Sequence, residues 1–146
     1  MNDVPVFGTQ IAGCTYVRRP SAYALVRNPA GEWAVVRTPN GCFLPGGGME
    51  RDETPQQTVE REAREECGFV LETRAPRASA IQYLYSTEEK KYFAKTCEFV
   101  EAEVVDMVSP QEQDHELVWM SLNQALASLS HESHRWALDR VSRRAP

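Results

Sequence analysis

Glu62, Glu65 and Glu66 crowd one short stretch of chain downstream of three consecutive glycines, in the run GGGMERDETPQQTVEREAREECGF from Gly46 to Phe69. Carboxylates this close repel one another unless a cation sits among them. All-oxygen donors suit Mg²⁺ or Mn²⁺, and Mg²⁺ usually takes one or two carboxylates and completes its shell with substrate phosphates. The chemistry on offer is metal-assisted work on phosphate. Phe43-Leu44-Pro45 leads into Gly46-Gly47-Gly48, where missing side chains let the backbone approach a ligand or ion closely.

A helix has to position these glutamates, and its ends are written in the sequence. Pro55 suits a first helical position, Thr54 before it is a good N-cap, and Gln57 completes a capping box. Gly68 can take the left-handed conformation that closes a helix, which sets its span at about Pro55 to Cys67. Val59, Ala63 and Cys67 then form a core stripe, with Glu62 and Glu66 together on its flank and Glu65 beside them.

The fixed positions are Gly47, Glu53, Arg61, Glu62, Glu65, Glu66 and Gly68, at the spacing G-x5-E-x7-R-E-U-x-E-E-x-G-U, with Ala63 and Phe69 at the two non-polar places. At ordinary residue frequencies they coincide by chance about once in 10⁸–10⁹ starts. The run resembles the box of the Nudix (MutT-like) family, without a departure. That resemblance implies an α/β/α sandwich and a Mg²⁺- or Mn²⁺-dependent hydrolase that cuts diphosphate linkages in nucleotide-like compounds. It implies that Glu62 and Glu66 are the main metal ligands, that Glu65 is a ligand or a base, and that the Gly46 carbonyl adds a further ligand. It also implies that Glu53 and Arg61 pair structurally, pinning the loop to the helix. Family members often add a glutamate from downstream of the box at a variable position. The acidic loop QEQDHE, which also holds Asp114 and His115, offers Glu112 and Glu116 as that catalytic group.

Other phosphate motifs fail on spacing. A dinucleotide fingerprint lacks its third glycine, since Arg51 stands there, and no G-x-x-x-x-G-K-[ST] string occurs. His131-Glu132-Ser133-His134 misses the zinc-protease pattern because its histidines are three apart, so they read as cap and surface residues.

The 146 residues suit a single domain, 1–146, with its own core. A net charge of −5 argues against a nucleic-acid-coating surface but not against phosphate chemistry, since bound divalent ions supply positive charge locally. No apolar run approaches a membrane span, and MNDVPVFGTQ lacks a signal-peptide core. Cys14, Cys42, Cys67 and Cys97 form no C-x-x-C pair and read as reduced, mostly buried thiols of a cytoplasmic protein. The expected partner is a small nucleotide-type substrate, and a homodimer is compatible with the chain.

The remaining pattern predicts strands at Ala22–Arg27 and Trp33–Arg37 around the Asn28–Gly31 turn, and a short one at Cys42–Leu44. A strand at Phe69–Leu71 should break near Pro76, followed by a hairpin of Ala80–Ser86 and Lys91–Val105 around Thr87–Lys90. Ser109–Asp114 reads as a loop and Leu117–Met120 as a last strand. Ser121 with Gln124 caps a helix through Leu129, and His134–Val141 forms a final helix. Strands and helices without regular βαβ alternation suggest an α/β (α+β) mixed sheet between helical layers. Tyr83, Tyr85, Tyr92 and Phe93 divide between core packing and stacking on a nucleobase. Among Arg18, Arg19, Arg27 and Arg37, at most one is expected to reach a phosphate. The alternative to a hydrolase is a catalytically silent nucleotide-binding or sensing module. Such modules usually lose box carboxylates, and none is missing here.

Overall fold

The computed structural model describes residues 4–144, so the outermost residues of the 1–146 reading and the start of MNDVPVFGTQ lie outside it. In chain order the elements are β1 (Val6–Phe7), β2 (Tyr16–Val26), β3 (Trp33–Thr38), β4 (Gly41–Phe43), β5 (Gly46–Gly48), α1 (Pro55–Cys67), β6 (Phe69–Ser86), β7 (Lys91–Met107), β8 (Glu116–Met120), α2 (Leu122–Ser128) and α3 (Glu132–Arg144). A five-stranded sheet runs β1-β6-β7-β2-β5, and a three-stranded one runs β4-β3-β8. The larger sheet is mixed: β2 is parallel to β7 and β1 to β6, while β2–β5 and β6–β7 are antiparallel.

Alternation along β2 builds both layers. Ala22, Ala24 and Val26 join Val59, Ala63 and Cys67 of α1 in one core, while Tyr23 and Leu25 join Ala137, Leu138 and Val141 of α3 in the other. A strand with helices on both faces must be apolar on both, and Ala22 to Val26 are all buried. This is the α/β/α sandwich that the resemblance implies.

Three local expectations change. Pro76 does not end a strand. β6 runs from Phe69 to Ser86, and its register against β7 shifts on either side of Pro76. A residue that cannot donate to the ladder is accommodated where pairing is already irregular. The Gly46–Gly48 segment is a short strand on the edge of β2 rather than a free loop. The third change concerns His134, which is not a surface residue. α3 begins at Glu132 rather than at His134, which turns that side chain inward. It is 1% exposed, accepts the Leu44 N–H at 3.2 Å through Nδ1, and packs on Tyr23 and Phe99. Burial holds its pKa well below the usual histidine value and pushes His131 down to about 4, so both are neutral at physiological pH.

Candidate active site

The helix that carries the box has the ends its sequence calls for. Thr54 accepts the Gln57 N–H, the Gln57 side chain accepts the Thr54 N–H, and Gly68 closes the helix at φ 73°. A Cβ at Gly68 would also run into the Val108 carbonyl.

Arg61 organises the loop between β5 and α1. Its Nε and one terminal nitrogen grip both Glu53 oxygens, at 2.8 and 3.0 Å, and it also donates to the Gly48 carbonyl at 3.1 Å. Glu53 in turn accepts the Glu50 N–H and the Thr58 hydroxyl, each at 2.8 Å. The Arg61 fork, with these donors, holds the Glu53 carboxyl down at about 2. The remaining terminal nitrogen of Arg61 reaches Glu62 at 3.2 Å and Glu65 at 3.1 Å, so one cation hydrogen-bonds three glutamates and also pairs with Glu50 at 3.5 Å. Arg61→Ala should therefore lower stability by on the order of 2–3 kcal/mol and loosen the glycine edge. Thermal denaturation checks this, and an unchanged melting temperature would contradict it.

Glu66 lies deepest of the box carboxylates, at 9% exposure, and accepts the Gly46 N–H at 2.9 Å. Burial pushes its pKa up to about 9, with Glu62, Glu112 and Glu65 adding to the effect against the pull of the Gly46 N–H. Burial also raises the Glu62 carboxyl. Glycine at position 47 lets the Glu62 carboxylate lie against the strand where it stands, since a Cβ there would sit 2.6 Å from Glu62 Oε2 and push that side chain aside. Buried, mutually repelling carboxylates with hard oxygen donors fit a divalent cation of the Mg²⁺ or Mn²⁺ type.

The acidic loop is docked onto α1. The Gln111 and Glu112 N–H groups both donate to the Glu65 carbonyl, at 2.9 and 3.0 Å, and Val108 N–H donates to the Gly68 carbonyl at 2.7 Å. This tether brings Glu112, Asp114 and His115 to the same cleft as Glu66, Gly46 and Gly47, a space of about 880 Å³. His115 Nε2 stands 3.6 Å from Glu66 Oε2, with Nδ1 at 2.9 Å from Asp114. Glu116 is elsewhere. It opens β8 directly opposite Arg37 on β3, forms an exposed ion pair with it at 3.1 Å, and does not line the cleft. His115 and Asp114 lacked a sequence signal beyond their place in the acidic loop.

Of the four arginines, only Arg19 lines the cleft. Arg27 stacks on Trp33, and Arg37 is held by Glu116. Phe93 is core, 1% exposed beneath the Arg19 guanidinium, whereas Tyr85 reaches the cleft and stays 47% exposed. Tyr83 and Tyr92 both pack on Tyr16. The four cysteines are free, and no described helix is long and apolar enough to cross a membrane.

Fold and site together define an α/β/α sandwich with a carboxylate-walled cleft at its glycine edge. The chain belongs to the Nudix family, whose NUDIX domain model matches residues 17–141. A Mycobacterium tuberculosis (strain H37Rv) protein with the provisional name 8-oxo-dGTP diphosphatase 3 is 33% identical over 82 residues, which is 56% of this chain and 37% of that protein. The chain thus spans little more than a third of the length of the curated relatives it matches. Among solved structures, a MutT protein from Methanosarcina mazei Go1 superposes with a TM-score of 0.68 at 25% identity, covering 88% of this chain and 96% of the other. The E. coli dihydroneopterin triphosphate pyrophosphohydrolase gives 0.68 at 15% identity, covering 89% and 99%, and so shares the fold.

Proposed function

We propose that this chain hydrolyses a diphosphate linkage in a nucleotide-type compound, such as a nucleoside triphosphate or a dinucleoside polyphosphate, with Mg²⁺ or Mn²⁺ bound. The observation that carries the reading is the meeting of Glu66, Gly46 and Glu112 at one open cleft, with Glu62 and Glu65 beside them on α1. Family membership and the provisional diphosphatase name of the mycobacterial relative support it.

In this reading Glu62, Glu65, Glu66 and the Gly46 carbonyl would hold the metal. When bound, the ion would neutralise charge on the phosphoryl oxygens and on the leaving group. Glu112 takes a proton from water as the water oxygen bonds to phosphorus. The bridging P–O bond breaks, and its electron pair leaves with the departing phosphate group, which takes its proton from solvent. Glu112 returns its own proton to solvent and is reset. Arg61 and Glu53 fix the loop and touch no substrate. Four free thiols favour a reducing compartment such as the cytoplasm.

The test is a panel of nucleoside triphosphates, dinucleoside polyphosphates and nucleotide sugars, incubated with Mg²⁺ and followed by product analysis. Cleavage of a phosphoanhydride that stops on chelation is the expected result. Nucleotide binding without turnover of any member would instead make the chain a silent binding module.

A further inference from the structure

Two cations stand side by side in the cleft on the wall away from the box helix. Arg19 on β2 is directly opposite Lys95 on the parallel strand β7, and both line the cleft. Like charges in register on neighbouring strands destabilise a sheet. The other strand neighbour of Lys95 is the neutral Gln82. Arg19 is balanced by Glu89 in the β6–β7 turn, at 2.9 and 3.3 Å, with both side chains partly exposed. Lys95 is half-buried, and its ammonium donates to the Tyr23 hydroxyl at 3.4 Å. Among the described residues no carboxylate lies within 4.0 Å of its ammonium. Burial, and to a lesser degree Arg19, disfavours its charge, while Cys97, Glu89 and Glu62 favour it.

Tyr23 measures how far this pair stands from the chemistry. Its backbone and ring edge abut Gly46, where an added Cβ would lie 2.7 Å from Tyr23 Cα and 2.8 Å from Cδ1. Its hydroxyl, at the other end of the ring, meets Lys95. Lys95 is thus one tyrosine side chain away from the Gly46–Glu66 contact. A nucleobase carbonyl would be served by one neutral donor, whereas two adjacent full charges call for a formal anion. Resting on the hydrolase reading above, we propose that Arg19 and Lys95 bind a further phosphate of the substrate's chain, beyond the linkage held at Glu66, and so favour compounds with three or more consecutive phosphates. The exposed Glu89 partner is weakly held and gives way to the phosphate.

Calorimetric titration of the intact chain with inorganic tripolyphosphate and with pyrophosphate, at one fixed free Mg²⁺ concentration, tests this without relying on turnover. Lys95→Met should weaken tripolyphosphate binding about tenfold or more, the loss of one charge-assisted contact, and leave pyrophosphate within about twofold. Lys95→Arg should retain most of the affinity. Arg19→Met, at a side chain 38% exposed, gives a second reading independent of how the Lys95 variant folds. Unchanged tripolyphosphate affinity in both Met variants, as expected if the pair reads a nucleobase, would overturn the assignment. Equal weakening of both anions would overturn it too, as would undetectable binding by the wild type. Failure to cleave any nucleotide would count against the hydrolase reading alone, because these titrations measure binding.

Discussion

Glu66→Gln should lower turnover by orders of magnitude while leaving the protein folded. The amide keeps the length and shape of the carboxyl, and its oxygen can still accept the Gly46 N–H that Glu66 accepts at 2.9 Å. What it loses is a charged donor at the most buried point of the glutamate cluster. Losing even an outer partner of a metal site costs about 10–100-fold, and losing a direct ligand should cost more. Stability should hold or rise, because burial disfavours the charged carboxyl there and the amide carries no charge. Steady-state kinetics beside thermal denaturation would check both parts. Near-normal turnover at saturating Mg²⁺ would remove the site from α1.

Glu112→Ala should separate rate from stability in the same way, and Glu116→Ala should not. Glu112 lines the cleft because its own N–H and that of Gln111 are tied to the Glu65 carbonyl. A loop held by its backbone leaves the side chain free to act, so on the role proposed for Glu112 truncation should remove the base and little else. General-base catalysis is worth about 10²–10⁴-fold, which is the expected fall in catalytic rate. Glu116 loses only an exposed pair with Arg37, worth at most about 1 kcal/mol. Kinetics of both single variants from about pH 7 to 9 decides the matter, since a base should show in the pH profile. If Glu112→Ala keeps the wild-type rate throughout, the loop is a solvated acidic turn and Glu65 becomes the base.

The parts of the molecule governed by local chemistry could be read from the sequence. Thr54 and Gln57 by their side chains, and Pro55 and Gly68 by their backbone preferences, mark the ends of α1, and the boundaries Pro55 and Cys67 follow. Val59, Ala63 and Cys67 mark its buried stripe by spacing alone. Features that depend on long-range pairing could not be read this way. Gly46–Gly48 becomes a strand only because β2 lies beside it, and Pro76 stays inside β6 because β7 tolerates shifts of register there. The short β1 and the first half of β2, from Tyr16, carry no clean alternation and depend on partners distant in sequence. Glu112 and Glu116 looked equivalent as letters. Pairing of β8 with β3 sets Glu116 against Arg37, and the loop tether sends Glu112 to the cleft. The Arg19–Lys95 juxtaposition likewise joins strands far apart in the chain.

Turnover of the best substrate from the panel in ¹⁸O-labelled water asks whether water attacks phosphorus in this cleft. One labelled oxygen should enter one phosphate product for each anhydride cleaved, cleavage should require Mg²⁺ or Mn²⁺, and chelation should stop it reversibly. Folded protein that binds nucleotide yet cleaves no member of the panel with either ion, or that yields products without water-derived oxygen on phosphorus, would contradict it.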